Sequence, residues 1–261
     1  NTRQMDVTPQ TITSSLQPKR TLISSRECES GNIKYTLNVY DIKGYGQAEF
    51  VDFQGRTDED FRRVRSMMPF EFLDKKAKDF DWTLYGKDIA AQKQIANAFI
   101  VNFEKSENEG KGLYIFSRTK GAGKTYLACC LLNQLIESRP ITGKFITALD
   151  LVELTKKGFK HSEAQEELDG IFKTRILILD DLGTQLNREF SDTVLYRLVN
   201  ERMGKKLVTI FTSNIPVNEL KIDERISDRI FSMTIPLILP EVSIRNNKAR
   251  EKNAEFLKSI L

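Results

Sequence analysis

The stretch "LYIFSRTKGAGKTYLA", residues 113–128, joins an apolar run to a glycine-rich loop and then to the start of an apolar helical pattern. A short apolar run such as LYIFS, at 113–117, is typical of a strand buried on both faces of a parallel sheet. Glycines in the loop let backbone amides wrap around phosphate groups, and a helix that begins there points its N-terminus at the same anion. The stretch therefore predicts a strand, a phosphate-binding loop and a helix.

Within this loop, Lys124 is expected to reach the β- and γ-phosphate oxygens, and the Thr125 hydroxyl is expected to ligate Mg²⁺. Arg118 stands where the usual pattern begins with glycine. The loop tolerates a side chain there if the backbone is not forced to positive φ. The alternative is a chance echo of a phosphate loop. The predicted nucleotide-binding residues of the loop are Lys120, Gly121, Ala122, Gly123, Lys124, Thr125 and Tyr126.

Two further polar positions follow apolar strands. "ILILDDLG", residues 176–183, ends in Asp180, predicted to hold the Mg²⁺ shell, and Asp181, predicted to orient or deprotonate the attacking water. "TIFTSN", residues 209–214, ends in Asn214, which can reach the γ-phosphate or its water because neighbouring parallel strands end at one crevice. The structural alternatives are acids that solvate a strand end and an asparagine that forms a turn.

The segment "DERISDRI", residues 223–230, places Arg225 and Arg229 four residues apart, on one face of a short helix. Surface ion pairs with Asp223 or Glu224 are the simpler explanation. The other is an arginine finger, inserted into a neighbouring subunit's site to offset charge that develops on the phosphoryl group.

The remaining pattern predicts an α/β protein with two parts. Residues 1–30 are polar and without periodicity, which predicts a mobile arm, whereas residues 32–53 alternate around a glycine turn and predict a hairpin. We expect an N-terminal domain at 1–56, a linker at 57–86 and a nucleotide-binding domain at 87–261. A helix is predicted over 87–104. The later strands, at 113–117, 144–148, 175–180, 207–213 and 233–239, alternate with helices and imply a parallel sheet covered on both faces.

Composition narrows the class of protein. The 261-residue chain has three cysteines without zinc spacing and a single histidine, so neither a disulfide framework nor a zinc site is expected. Its apolar runs are far shorter than the roughly 20 residues of a membrane-spanning helix, and we expect a cytoplasmic protein without membrane contact. The net charge of +4 is mild, but residues 242–261 are distinctly basic.

Taken in order, GAGKT, LILDDLG, TSN, DERISDRI and SIRNNKAR resemble the AAA+ ATPase domain of bacterial replicative helicase loaders of the DnaC/DnaI type, with the transposition helper IstB as kin. The resemblance covers roughly residues 70–261. It implies a five-stranded sheet of order 5-1-4-3-2 without a substantial helical lid, and ATP bound between adjacent subunits of a ring or spiral. It also implies that Arg229 is the finger, with Arg225 as second candidate, and that Arg245 is the sensor 2 arginine.

The same resemblance implies that single-stranded DNA binds along the inside of the spiral. Cations beside an aromatic on which a base can stack are the ingredients of such binding, although Phe159 and Phe190 could instead pack into the core. The candidate DNA-binding residues are Lys156, Lys157, Phe159, Lys160, Arg188 and Phe190. Trp82 and Tyr85 are expected either to pack or to line an adenine pocket.

The function expected from these features is an ATPase that loads a hexameric DnaB-type replicative helicase onto single-stranded DNA during replication initiation. Its N-terminal domain would grip the helicase, although that domain lacks the cysteine pairs that often bind zinc in such loaders. ATP and Mg²⁺ are the expected cofactors, and hydrolysis would be weak without a neighbouring subunit. The alternatives are an IstB-like transposition helper on duplex DNA, a small-molecule P-loop kinase and a non-hydrolysing switch. A finger supplied by a neighbour argues against the kinase.

Overall fold

The computed structural model describes residues 20–30, 33–42, 46–53, 58–86, 89–183, 188–245 and 256–257. The chain divides into two compact units, Asn1–Gly55 and Arg56–Leu261. None of the helices within these described ranges is long and apolar enough to cross a membrane.

The first unit is a three-stranded antiparallel sheet of order β1-β2-β3. Its strands are β1 (Arg20–Ser30), β2 (Ile33–Ile42) and β3 (Gly46–Phe53). The predicted hairpin corresponds to β2 and β3. The predicted mobile arm is wrong for Arg20–Ser30, which forms a strand by antiparallel pairing with β2 although it has no alternating apolar pattern. Residues 1–19 lie outside the described residues.

The second unit begins with α1 (Asp58–Val64) and three single 3₁₀ turns, at Phe70–Phe72, Ala77–Asp79 and Trp82–Tyr85. Two helices follow, α2 (Ala90–Val101) and α3 (Phe103–Glu109). The single helix predicted over 87–104 is therefore wrong at its end, because α2 ends at its C-cap, Asn102, and a separate helix, α3, follows. The backbone N–H and the side-chain amide of Asn102 both donate to the Ala98 carbonyl, over 2.9 and 3.0 Å, and close the last turn of α2.

The five-stranded sheet is the centre of the second unit. It contains β4 (Gly112–Phe116), β5 (Gly143–Thr147), β6 (Ile176–Leu182), β7 (Val208–Ser213) and β8 (Thr234–Ile238). All its pairings are parallel, in the order β5-β6-β7-β4-β8. Counted from β4 as the first of the five, this order is 5-1-4-3-2, which confirms the order that the resemblance implied. Each predicted strand overlaps an observed one.

Helices cover both faces of this sheet. They are α4 (Lys124–Ser138), α5 (Ala148–Gly158), α6 (Ser162–Lys173), α7 (Arg188–Gly204) and α8 (Glu224–Met233). Tyr114, Leu177 and Phe211 pack into one cluster with side chains of α5 to α8. Strand neighbours such as Ile115 and Ile178 point to the other face and are fully buried as well. Burial on both faces explains why the strands are apolar runs rather than alternating ones.

Candidate nucleotide-binding site

The predicted polar strand ends meet in one cleft. A cavity of about 980 Å³ lies where β4, β6 and β7 end. The loop residues 120–126 line it, together with Asp180, Asp181, Asn214 and Arg245. The fold thus brings together four separate motifs that are far apart in the chain, because the carboxyl ends of parallel strands share an edge.

The loop has a backbone that only glycine adopts easily. Gly121 and Gly123 have φ of 77° and 86°, in the left-handed region. A Cβ at Gly121 would lie 2.8 Å from the Ser243 hydroxyl oxygen. Gly123 immediately precedes α4, whose first N–H groups have no partner within the helix and are therefore available to an anion.

Arg118, the unusual residue of the loop, keeps an ordinary backbone. Among the described residues, positive φ outside glycine occurs at Met67, Asp181 and Lys206. The Arg118 side chain is exposed and pairs with Glu219 over 2.5 Å, while its N–H donates to Glu241 over 2.9 Å. The guanidinium is therefore directed to a surface carboxylate. Arginine in place of the usual glycine does not change the backbone conformation of the loop.

Lys124 lies over the loop from the first turn of α4. Its ammonium donates to the carbonyl oxygens of Ser117 and Thr119 over 3.1 and 3.0 Å. Burial lowers the pKa of Lys124, and the charge of Asp181 opposes this shift. Because burial disfavours the charged ammonium, Lys124 gains from an additional nearby anion, which is what a phosphate would supply.

The two acids at the end of β6 have different environments. Asp180 is buried, and this burial raises its pKa against the opposing hydrogen bonds of Thr212 and Thr125. Asp181 has φ of 56°, and its Oδ1 accepts a bond from Asn214 Nδ2 over 3.2 Å. The sequence predicted Asp180, Asp181 and Asn214 at this site, but it gave no reason to single out Thr212.

An aromatic group forms the apolar end of the cleft. Phe80 lines the cavity, and its ring lies 5.5 Å from that of Tyr126 and 4.6 Å from that of Trp82. Tyr85 is buried and donates to the Ala122 carbonyl over 2.7 Å. Trp82 packs on Phe80, and Tyr85 holds the phosphate loop through its bond to Ala122. The packing alternative therefore fits both residues. Sequence reasoning missed Phe80, although it stands two residues before Trp82.

The two candidate finger residues lie together on α8. The guanidinium groups of Arg225 and Arg229 lie 5.3 and 4.9 Å from the centre of the Tyr196 ring. Arg225 also forms an ion pair with Asp223, as the simpler sequence explanation expected. Arg229 donates instead to Asn200, to the Arg225 carbonyl and to the Tyr196 hydroxyl.

The candidate DNA-binding residues fall on two helices. Lys156 and Lys157 lie in the last turn of α5, followed by Phe159, which is 77% exposed, and exposed Lys160. Phe190 on α7 is half-buried and packs against the core cluster, and the Lys156 ammonium lies 5.4 Å from its ring centre. Arg188 begins α7, but its side chain lies outside the described residues.

Comparison with known proteins identifies the family. The model of the IstB-like ATP binding protein family matches residues 46–253, well over half of the chain. The chain belongs to this family. Membership accounts for the phosphate loop as an ATP-binding element and confirms the resemblance to its helicase-loader relatives.

The curated relatives are replicative helicase loaders. The chain is 31% identical over 126 residues to "Replicative helicase loader DnaI" of Bacillus subtilis (strain 168), which covers 47% of this chain and 40% of that protein. It is 28% identical over 124 residues to "Replicative helicase loader DnaC" of Escherichia coli (strain K12), covering 45% and 49%. The matched segment thus spans about half the length of these relatives or less.

Solved structures confirm the AAA+ fold. The "Crystal Structure of the DnaI" matches with a TM-score of 0.57 and 28% identity, over 67% of this chain and 95% of that one. The "Crystal structure of the DnaC helicase loader" matches with a TM-score of 0.56, over 65% and 98%. At 22% identity, this second match is evidence for the fold alone.

Proposed function

We propose that this protein is an ATP-dependent loader that engages a hexameric DnaB-type replicative helicase and helps to place it on single-stranded DNA. One observation carries the proposal: a chain whose relatives are replicative helicase loaders joins Lys124, Asp180, Asp181 and Asn214 in one cleft. The N-terminal region 1–56 would bind the helicase, the linker 57–86 would follow, and the domain 87–261 would bind ATP. Such a loader would work in the cytoplasm.

The residues of the cleft fit ATP and Mg²⁺. Glycines in the left-handed backbone conformation and the N–H groups at the start of α4 can surround a triphosphate. Buried Asp180, whose raised pKa reflects an unfavourable charge, gains from a cation, so Asp180 and Thr125 would hold Mg²⁺. The metal would neutralise phosphate charge. Asp181 would orient the attacking water and accept its proton.

Asn214 is suited to assist at the same place. Its Nδ2 donates to Asp181, whereas its Oδ1 is buried and has no hydrogen-bond partner among the described residues. A buried acceptor without a donor is costly, and a water molecule held beside Asp181 would satisfy it. Asn214 would thus hold the water and fix the carboxylate that activates it.

Hydrolysis would be completed by a neighbouring subunit. Neither Arg225 nor Arg229 is among the residues that line the cleft of their own chain in its described part. An arginine of an adjacent subunit would therefore offset the charge that develops on the phosphoryl group. Arg245, which lines the cleft, would contact the nucleotide from within the chain. Assembly into a ring or spiral follows, and a lone subunit would hydrolyse ATP slowly.

A second candidate is a transposition helper that acts on duplex DNA. The family model that matches the chain is named for IstB, which favours this alternative. The two functions require different DNA. Binding to fluorescent single-stranded and duplex oligonucleotides of equal length separates them, since a loader should prefer the single strand and a helper the duplex.

The test of the main proposal is a pull-down with a purified DnaB-type hexamer, with and without ATP. We expect the protein to capture the helicase at a fixed stoichiometry, and we expect this capture to require ATP. The Lys124→Ala variant should lose nucleotide binding in calorimetry, while Lys93→Ala, an exposed lysine on α2, should keep it. Normal ATP affinity of Lys124→Ala, or no helicase capture under either condition, would contradict the proposal.

A further inference from the structure

A single buried hydroxyl connects the two acids of the cleft. Thr212, on β7, is 1% exposed. Its Oγ1 donates to Asp180 Oδ1 over 2.6 Å and accepts the N–H of Asp181 over 3.0 Å. A threonine hydroxyl has one proton to donate. The geometry therefore directs that proton toward Asp180 and leaves an oxygen lone pair to accept the N–H of Asp181.

The strand pairing explains why this hydroxyl is needed. The β6–β7 ladder runs regularly to Leu179, opposite Phe211, and resumes at Leu182, opposite Ser213. Two residues of β6, Asp180 and Asp181, therefore face one residue of β7, Thr212. In such a bulge the extra residue loses its ladder partner. The Thr212 hydroxyl supplies that partner from a side chain.

The neighbouring serine fixes the far side of the bulge. Ser213 Oγ donates to the Leu182 carbonyl over 2.6 Å and accepts the N–H of Ile215 over 3.0 Å. Between these anchors Asp181 takes its left-handed φ of 56°, which is uncommon for a residue other than glycine. The carboxylate direction at Asp181 is therefore set by hydroxyl groups of β7 as well as by its own chain.

We propose that Thr212 is a positioning residue of the ATPase reaction, which acts by holding Asp180 and Asp181 in their relative placement. Thr212 need not touch the nucleotide. Asn214, two residues further along, bonds the Asp181 side chain, so one strand end holds this acid by both its amide and its carboxylate. The proposal rests on the function proposed above, because it concerns the same two acids.

The first test removes the hydroxyl and keeps the shape. In Thr212→Val we expect kcat for ATP to fall about 10- to 100-fold, since small misplacements of catalytic groups cost up to about a hundredfold in rate. KM should change less than about threefold, because the loop that binds phosphate is untouched. Thr212→Ser keeps the hydroxyl and should recover kcat to within about threefold of the parent protein.

The matched control is Thr155→Val. Thr155 is a buried threonine whose hydroxyl donates to the Leu151 carbonyl over 2.7 Å within α5. It removes a buried hydroxyl in the same way without touching the acids, so kcat should stay unchanged. If Thr212→Val does not fold, Thr212→Ala takes its place, with Thr212→Ser again as the rescue.

A second measurement needs no nucleotide. Amide hydrogen exchange at Asp181 should be several-fold faster in Thr212→Val than in the parent, about what loss of one hydrogen bond gives, and near the parent rate in Thr212→Ser. An unchanged Asp181 exchange rate would overturn the proposal. So would equal loss of kcat in the valine and serine variants. If the parent protein bound no ATP, the proposed function would fail, and the exchange result would still decide whether the Thr212 hydroxyl holds the Asp181 amide.

Discussion

Arg225 donates to both carboxylate oxygens of Asp223, from Nε over 3.0 Å and from Nη2 over 2.7 Å. The bond to Arg225 lowers the pKa of Asp223 to about 2, so the acid is ionised at neutral pH. A bidentate pair of this kind occupies the edge of the guanidinium that would otherwise grip a phosphate. Arg229, four residues on, has uncharged hydrogen-bond partners. We therefore expect Arg229, rather than Arg225, to act in a neighbouring subunit.

The first prediction separates these two arginines. Arg229→Ala should leave ATP affinity nearly unchanged and cut hydrolysis by the assembly by about 10³, the lower range for an arginine finger. Arg225→Ala should cost less than about tenfold, because Asp223 already holds its guanidinium. Steady-state hydrolysis and calorimetry on the same samples measure both effects.

Mixing variants sharpens that test. Lys124→Ala subunits would lack nucleotide but keep Arg229, whereas Arg229→Ala subunits would keep nucleotide and lack the finger. If the arginine acts between subunits, a mixture of the two should recover part of the lost activity. Two inactive variants that stay inactive when mixed, or an Arg229→Ala protein with normal turnover, would exclude the model.

The second prediction concerns two glycines in different backbone conformations. Gly123 has φ of 86°, and a Cβ there would lie 3.4 Å from both Phe80 and Ile244, so Gly123→Ala should destabilise the fold by about 1–2 kcal/mol and weaken ATP binding. Gly170 lies within α6 with open space around its Cβ position. Gly170→Ala should stabilise by about 0.5–1 kcal/mol. Urea unfolding gives both values, and a neutral effect at Gly123 would count against the strained loop.

The third prediction concerns the contribution of a buried arginine, Arg202, to the stability of the fold. Arg202 is 0% exposed and holds the end of α6 against β7. It donates to Thr209 Oγ1 and to the carbonyl oxygens of Ile171, Phe172, Thr174 and Val208. Arg202→Met would leave several buried acceptors without donors and should cost at least about 3 kcal/mol of unfolding free energy.

Arg197 on the same helix is the control for that variant. It is exposed and lies over the Phe172 ring, 5.1 Å from its centre. Arg197→Met should therefore change the unfolding free energy by less than about 1 kcal/mol. Comparable losses in the two variants would mean that the hydrogen bonds of Arg202 are not what stabilises this junction.

The fourth prediction concerns the two phenylalanines proposed for DNA. Phe159 is exposed beside Lys157 and Lys160, so Phe159→Ala should weaken single-stranded DNA binding by about 1–3 kcal/mol, the usual value for one stacked base, and leave the melting temperature unchanged. Phe190 packs against the core cluster, and Phe190→Ala should mainly lower the melting temperature. Fluorescence anisotropy and thermal unfolding separate these effects. DNA affinity that is insensitive to Phe159 would remove this residue from the interface.

Two errors of sequence interpretation have a common cause. The polar stretch Arg20–Ser30 forms a strand because it pairs antiparallel with β2, a partner that no local pattern indicates. Phe80 has no motif of its own and becomes part of the cleft only because its segment packs beside Tyr126. In each case a contact outside the local window decided the outcome.

By itself the sequence determined the order of chemical groups: a glycine loop with its lysine, a strand that ends in two acids, a strand that ends in asparagine, and a helix with paired arginines. These were readable because each depends on neighbours within a few residues, and the sheet order followed from the family that they resemble. Only the tertiary structure brought Thr212 between Asp180 and Asp181 and placed Phe80 beside Tyr126. Such choices depend on strand register and side-chain direction, which are fixed by packing across the whole domain rather than by the residues next in the chain.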